Sequence, residues 1–555
     1  MKSLFKKIIL AKFHKSHLIR FLVLWYNFRF TIQDRLIKQL SIKSKKEIYS
    51  SVNQKRVLIP IIETKHYQHF QLLAIAKALQ LRGAEIKIII CGQFLDGCEI
   101  KSALNEKDKD PCLECRFNEL NILPLFNVEV LRLSDIITKE EKSELLAEAE
   151  YLANSKSDEL MIRHGIDLKQ SVEDSIIRYF YGAVPDDESL VNKVRINHFL
   201  TAIISAEVAY RIDQSWSPDI VFNNMYSYSA WGPFFHYYRN IGSPFITISI
   251  NNFNYHANRI NTQELFESTE RYRKYLSWRG NNILNTKENN TLKNLIHNRF
   301  KGESRFFKDY NYFRESPRNK PINELLKINK NKKNLFLFSN VYWDFGISIR
   351  IKLFKGVLDW IIQTIEIVKK EPNDIHLYIK PHPGEKRNSL SSKKGISEFI
   401  VDNFSKLPQN ITIIDPEWEI KSYELFPYID LGVMYNGTLG LEMMLSDIPV
   451  VTTAKSPYQG LKFSLEPDTI EEYKKVLIDR NQPIPPDKKQ LELFAYFYFI
   501  KTMVPFGLTK QVYADDFNGF TIKSLEDLLP GNDKYLDHLC NCILDSKNTI
   551  IEGWN

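Results

Sequence analysis

Cysteine is scarce in this chain. Its 555 residues hold six, at positions 91, 98, 112, 115, 540 and 542. Long apolar runs are scarcer still: no stretch approaches the ~20 residues needed to span a bilayer. A small-residue cleavage site behind a clean apolar core is also missing, so no secretory signal is expected. The cysteines are therefore expected as reduced thiols in a cytosolic setting. There is no internal repeat beyond a weak likeness between two α/β halves. The body of the chain also lacks a basic excess. The net charge is +8, but residues 1–50 carry 12 Lys/Arg against Asp34 and Glu47 and account for +10 of it, which leaves the other 505 residues at −2. A broad electrostatic footprint for nucleic acid is excluded on that ground.

What is present reads as a globular protein, with 44% apolar and 26% charged residues. The length exceeds one ordinary core, so two or more domains are expected. The basic leader intersperses its cations with Phe13, Leu18, Ile19, Phe21, Leu22, Leu24, Trp25, Phe28 and Phe30. That pattern predicts an amphipathic helix lying on an anionic membrane surface; a basic helix packed on the protein's own surface is the alternative. Cys112-Leu-Glu-Cys115, with Cys98 nearby, would supply part of a metal site, with Cys91 or a distant histidine as fourth ligand. No fourth ligand stands out. Structural or incidental cysteines are the favoured reading, and no metal is expected.

The apolar pattern alternates between strands and helices. Arg56-Val-Leu-Ile-Pro-Ile-Ile62 reads as a buried strand, residues 67–82 as a helix closed by Gly83, and Glu85-Ile-Lys-Ile-Ile-Ile-Cys91 as a second strand: one βαβ unit. The pattern recurs at 219–223, 231–240 and 244–250, after a mainly helical stretch at 135–215. A second α/β unit starts at Asn334-Leu-Phe-Leu-Phe-Ser339 and continues through 354–370, 375–380, 411–414, 431–434 and 448–452. The predicted organisation is a leader at 1–50, a Rossmann-like domain with a helical insertion at 51–330, a second Rossmann-like domain at 331–485, and helices at 486–555. Two Rossmann-like domains facing a cleft are the most economical α/β architecture.

Two segments at strand ends carry the chemistry: Tyr378-Ile-Lys-Pro-His-Pro-Gly-Glu385 and Tyr435-Asn-Gly-Thr-Leu-Gly-Leu-Glu442. Open α/β sheets bind ligands at the carboxyl ends of their strands. Lys380 and His382 can donate to phosphate oxygens. Asn436-Gly437-Thr438 reads as a turn opening a helix, whose free N–H groups and partial positive charge suit an anion. Together they predict a site for a nucleotide-activated substrate. For His382, the plainer reading is an imidazole bonded within its own Pro-His-Pro turn. For Asn436 to Thr438 it is an ordinary N-cap, for Glu442 a solvated helical carboxylate, and for Asp344 a turn residue. On the other side of the cleft, the loop Glu63-Thr-Lys-His-Tyr-Gln-His69 follows the first strand, so Glu63, His66 and His69 are candidates for a base. Arg178 reads as a helix-surface ion pair, with contact to an acidic acceptor or the donor as the alternative.

Lys380-Pro-His-Pro-Gly-Glu385, Asn436-Gly-Thr-Leu-Gly-Leu-Glu442, residues 453–463 and Asn340-Val-Tyr-Trp-Asp344 resemble the capsule polysaccharide biosynthesis proteins, GT-B glycosyltransferases related to the Kdo transferases. The resemblance is strongest over 334–500 and looser over 55–260. The His-Pro element also occurs in other GT-B enzymes that use cytidine-activated donors. The resemblance implies a metal-independent transferase without cofactor, moving a sugar from a CMP-, CDP- or UDP-linked donor to a growing capsule or other surface polysaccharide, on an oligosaccharide or lipid-linked acceptor. It implies a place in the cytoplasm, peripheral on the inner face of the plasma membrane. His382 would hold the donor phosphate and serve in catalysis. Lys380, Glu385, Asn436, Gly437, Thr438, Gly440, Glu442 and Tyr458 would complete the donor site, Glu442 at a ribose hydroxyl or beside His382, Tyr458 with Gly460 at the sugar. A hydrolysing UDP-HexNAc 2-epimerase and a non-catalytic polysaccharide assembly factor are the competing readings.

Overall fold

A computed structural model of the chain describes residues 55–64, 67–101, 112–155, 161–251, 259–263, 268–301, 321–344, 346–386, 392, 394–415, 418, 420–480, 487–505, 522 and 525–546. The predicted leader helix and His66 lie outside the described residues.

Two sheets organise the chain. The first contains β1 (Arg56–Pro60), β2 (Glu85–Ile90) and β3 (Glu129–Arg132); after a small hairpin of β4 (Ile162–Arg163) and β5 (Ile166–Asp167), it gains β6 (Ile220–Asn223), β7 (Phe245–Asn251) and β8 (Arg259–Gln263). The second contains β9 (Lys333–Phe338), β10 (Ile375–Lys380), β11 (Ile411–Ile413), β12 (Leu431–Met434) and β13 (Val450–Thr452). A last strand, β14 (Val504–Pro505), returns to the first sheet. Spatial order is β14-β8-β7-β6-β1-β2-β3 in one sheet and β11-β10-β9-β12-β13 in the other, with antiparallel pairing only at β7–β8 and β8–β14. The parallel strands of each sheet therefore run third, second, first, fourth, fifth. The order reverses between β1 and β6, and between β9 and β12, and such reversals open a crevice at the carboxyl ends.

The longer helices are α1 (Tyr67–Gln80), α2 (Cys112–Asn121), α3 (Lys139–Asn154), α4 (Lys169–Tyr179), α5 (Glu188–Trp216), α6 (Tyr228–Asn240), α7 (Ser268–Arg279), α8 (Thr286–Phe300), α9 (Val357–Val368), α10 (Ile396–Asn403), α11 (Thr438–Leu445), α12 (Ile470–Ile478), α13 (Lys488–Tyr496) and α14 (Lys534–Leu544). They cover both faces of each sheet, which is why the central strands are apolar runs and not alternating ones. Val57 and Ile59 of β1 join Leu73 of α1 and Leu539 and Ile543 of α14, while Leu58 joins Val172, Ala202 and Phe234 of α4, α5 and α6. In the second sheet, Leu335 and Leu337 pack with Trp360 and Ile365 of α9, and Phe336 and Phe338 with Leu441 of α11 and Phe494 of α13.

Two segments pack differently from the sequence reading. Tyr272 and Tyr275 of α7, and Leu292 and Leu295 of α8, belong to the second domain's core, although the sequence placed 268–300 with the first. The tail is not a separate set of helices either. Helix α13 stays on the second sheet, and β14 and α14 cross back to the first. Strands β3, β8 and β14 escaped the sequence reading. The edge strand β3 is half-exposed and β14 is two residues long, so neither leaves an apolar run. Among the described residues no helix is long and apolar enough to cross a membrane.

Candidate active site

Strand register sets out the floor of the site. Phe338 at the end of β9 lies opposite Lys380 on one side and Met434 on the other, and Met434 lies opposite Thr452. Two residues beyond these strand ends stand Asn340, His382 and Asn436. The His382 N–H donates to the Ser339 hydroxyl at 3.0 Å, and the Asn340 side-chain amide donates to Asn436 Oδ1 at 3.0 Å. The two motifs, 54 positions apart between His382 and Asn436, thus meet at the reversal between β9 and β12. Asn436 is buried, and its Nδ2 has no hydrogen-bond partner among the described residues.

His382 is exposed to solvent, yet protein surrounds it closely enough that desolvation, followed by the nearby Lys380 charge, pushes its pKa down to about 4. These two facts describe a ring on the floor of a crevice. Its Nδ1 accepts the Gly384 N–H at 3.0 Å. An acceptor nitrogen carries no hydrogen, so in the neutral ring the proton sits on Nε2, which is left as a donor toward the crevice. The close turn tolerates little: a Cβ on Gly384 would lie 2.8 Å from that Nδ1.

Helix α11 opens beside it. Its N-cap is Gly437, at φ 120° and ψ 170°, a conformation that favours glycine, and no side chain caps the helix. The first N–H groups of a helix have no intrahelical acceptor. Among the described residues no side chain caps them here, which suits this end of the helix to an anion. The Tyr458 hydroxyl donates to the Gly437 carbonyl at 3.2 Å from beneath, and a Cβ on Gly440 would collide with that hydroxyl. The turn is thus held by a buried tyrosine and admitted by a glycine.

Four of the predicted donor-site residues turn inward. Lys380 is buried in the floor, and desolvation lowers its pKa to about 8 despite the attraction of Glu424. Glu385 is buried and accepts the Ile396 N–H at 3.1 Å, capping α10; burial raises its carboxyl to about 8. Tyr458 is fully buried and supports the turn, so it does not line a sugar pocket. Glu442 is neither at a ribose position nor beside His382. It is 1% exposed, ion-paired with Arg299 of α8 and bonded by the Tyr423 hydroxyl at 2.8 Å. An arginine 143 positions away claims it, a pairing that local spacing cannot reveal. Asp344 donates its N–H to the Val341 carbonyl at 3.1 Å, as a turn residue does, while its carboxylate is close enough to Tyr226 and Tyr228 to raise their pKa values further.

On the first-domain side, Glu63 lies just past β1 and is buried, whereas the side chain of His69 is outside the described residues. Asn223 at the end of β6 donates to the Pro60 carbonyl at 2.9 Å across the reversal. The CxxC opens α2 beside this loop, with the Thr64 hydroxyl donating to the Cys115 carbonyl at 3.0 Å. Burial raises the Cys91 and Cys98 thiols and pushes Cys115 to about 12, so all three are thiols at neutral pH. Among the described residues no group of three or more His, Cys, Asp or Glu is placed to hold a metal ion.

The structure also gathers a polar cluster that the sequence did not mark. Glu99, on the loop after β2, accepts from the hydroxyls of Ser175 of α4 at 2.6 Å and Ser229 of α6 at 3.4 Å. The Ser229 hydroxyl is also 2.8 Å from Nδ1 of His198 on α5. Asp174 accepts from Ser227 at 2.9 Å and, across the domains, from Ser348 at 2.5 Å. Tyr342 of the second domain donates to the Gly182 carbonyl of the first at 2.8 Å, and Tyr181, Val341 and Trp343 form a small apolar cluster between the domains. Apart from Val341, Tyr342 and Trp343, which lie in the Asn340–Asp344 segment, none of these residues falls in a motif, so only tertiary contact reveals them.

No family model matches the chain, and no curated protein matches it. Solved structures do. KpsC of Thermosulfurimonas dismutans, a β-Kdo 2,4 transferase, matches at 14% identity over 56% of this chain and 88% of its own, with a TM-score of 0.35. The UDP-GlcNAc 2-epimerase of Neisseria meningitidis matches at 10% identity over 80% of this chain and 99% of its own, at 0.22. Anabaena HepE, in complex with UDP-glucose, matches at 11% identity over 80% and 94%, at 0.25. With these TM-scores below one half, the fold assignment rests on the two sheets themselves: two Rossmann-like α/β domains.

Proposed function

We propose that this chain is a GT-B glycosyltransferase that moves a sugar from a CMP-, CDP- or UDP-linked donor to a growing capsule or other surface polysaccharide, without a metal. One observation carries the reading: His382, neutral and exposed, with no partner for its Nε2–H among the described residues, stands at the strand reversal where α11 begins, capped there by no described side chain. A departing nucleotide leaves negative charge on its phosphate. A fixed N–H from His382, together with the N–H groups and hydroxyl at Thr438, stabilises that charge as it forms, and preorganised donors lower a barrier because they need not reorient. Asn436, through its unpaired Nδ2, is a further donor at the same place. Lys380 contributes charge from below. Glu63, His66 and His69 remain the candidates for taking the acceptor's proton, since all three follow β1 in the sequence. The basic leader would hold the enzyme on an anionic membrane surface beside a lipid-linked or oligosaccharide acceptor.

A thermal-shift series with CMP, CDP, UDP and GDP tests the donor site, because a ligand that binds only the folded state raises its midpoint. At least one nucleotide is expected to do so; none doing so overturns the reading. Incubation with UDP-GlcNAc alone separates transferase from epimerase: release of UDP and ManNAc without an acceptor would exclude transfer. Deleting residues 1–50 is expected to release the protein from anionic liposomes.

A further inference from the structure

Among the described residues, Arg178 on α4 has no partner for the helix-surface ion pair that its sequence context predicts. Its guanidinium lies 4.9 Å from the ring centre of Tyr181 and 4.8 Å from that of Trp343, one aromatic from each domain. Its Nη1 is buried and has no hydrogen-bond partner among the described residues. The nearby carboxyl groups are otherwise engaged. Glu99 is bonded by Ser175 and Ser229, and burial raises its pKa, with Arg178 the weakest of the influences acting against that rise. Its second oxygen is also buried and unpartnered. Asp174 accepts from Ser348, Ser227 and Gln170. Aromatic faces offset part of the cost of desolvating a guanidinium, but they do not supply an in-plane acceptor. Among the described residues no carboxylate forms an ion pair with this guanidinium.

The location gives this shortage a use. Trp343 Nε1 donates to the Ser392 hydroxyl at 2.8 Å, and the Ser392 N–H donates to the Glu385 carbonyl at 2.9 Å. Val341, in the same interdomain cluster, lies 3.3 Å from where a Cβ on Gly384 would be. Arg178 is therefore joined by short contacts to the turn that carries His382. The same corner holds Tyr228 at φ 67°, a left-handed conformation that costs an aromatic residue energy and that recurs at ligand sites. The two rings stand at 77° to one another with centres 5.1 Å apart, so both approach the guanidinium from one side and leave its remaining N–H groups to a planar oxyanion.

We propose that Arg178 is a recognition residue for a negatively charged group on the substrate, a sugar carboxylate or a phosphate, so that the unit bound between the domains carries its own charge beyond the nucleotide phosphate held at His382. The identity of that unit as a sugar rests on the glycosyl-transfer reading above.

The test is calorimetric titration of wild type, Arg178→Gln and Arg178→Lys with UDP-glucuronate against UDP-glucose, CMP-N-acetylneuraminate against CMP, and inorganic phosphate, with unfolding midpoints as a check of folding. Wild type is expected to favour the carboxylated member of a pair by about 10-fold or more, and Arg178→Gln to erase that preference without weakening the neutral member. Arg178→Lys keeps the charge, loses the planar edge and is expected to fall between. An equal loss for every phosphorylated ligand would place the phosphate, not a carboxylate, at Arg178. Affinities unchanged in a folded Arg178→Gln overturn the proposal. If wild type binds no nucleotide, the transferase reading fails separately, and free glucuronate, free N-acetylneuraminate and phosphate then decide: binding lost in Arg178→Gln sustains the anion site, and no binding to wild type ends it. Should Arg178→Gln fail to fold, the Arg178→Lys titration decides alone, with unchanged preferences overturning the proposal.

Discussion

His382 illustrates how one residue can be exposed and still uncharged. A protonated imidazole would attract phosphate more strongly, but the Gly384 N–H occupies Nδ1 and the crevice disfavours the cation. What remains is a directional donor on Nε2 that does not need to lose a proton when the product leaves. His382→Ala is expected to weaken the best-binding nucleotide by roughly 10- to 100-fold, the value of a hydrogen bond to a charged group. The unfolding midpoint should stay near that of wild type, since the side chain's one described hydrogen bond is the short-range one to Gly384. Isothermal titration with thermal unfolding checks both. This residue was legible in the sequence because the strand end, the two prolines and the histidine are contiguous. Arg178 was not: its partners Tyr181 and Trp343 come from different domains, and nothing within α4 announces the aromatic pair beside it.

Helix α11 depends on contacts from below and behind. Gly440→Ala drives a Cβ into the Tyr458 hydroxyl, and overpacking of this kind costs about 1–3 kcal/mol. Tyr458→Phe in the same chain removes the colliding oxygen and is expected to recover part of the loss, which urea unfolding of the single and double variants would show. The Arg299–Glu442 pair ties α8 to α11 deep in the second domain. Leaving one member unpaired there, as in Arg299→Met, is expected to cost about 3–5 kcal/mol, whereas replacing both by apolar residues costs much less. If the two single variants and the double prove equally mild, the pair is not the tie described. The helix itself was readable from Asn436-Gly-Thr-Leu-Gly. The role of its glutamate was misread, because i, i+3 and i, i+4 spacing reports neighbours on the same helix and says nothing of another one docking on it.

Among the described residues, desolvation lowers the pKa of four histidines: His198 to about 3, His376 and His382 to about 4, and His236 in the same direction. Their ordinary value is about 6.5. Between that value and the folded one, the unfolded chain binds more protons than the native state, so stability rises with pH across the window and is lost as pH falls through it. Glu385, raised to about 8, acts in the opposite sense over the same range, so the histidine contribution is read as a difference: wild type is expected to lose stability relative to His376→Gln as pH falls from 6.5 to 4, and a difference in urea midpoint independent of pH would contradict the buried placement of His376. The C-terminal crossing carries its own consequence. Ending the chain before α14 uncovers Ile59, Leu73 and Phe222 of the first domain, so a fragment lacking 525–555 is expected to lose that domain's cooperative transition in calorimetry while the second domain still melts.

Local patterning was enough to lay out both α/β units, most of their strands, and the two strand-end motifs. A parallel strand buried on both faces must be an unbroken apolar run, and a phosphate turn must be built from glycine and small polar residues, so both leave marks along the chain. Which helices cover which sheet left no such mark. The placement of α7 and α8 on the second domain, the return of α14 to the first, the burial of Glu442 against Arg299 and the aromatic pair beside Arg178 all depend on how amphipathic surfaces from distant segments fit together. That fit is set by shape and charge across the folded molecule, and a reading limited to neighbours in sequence does not contain it.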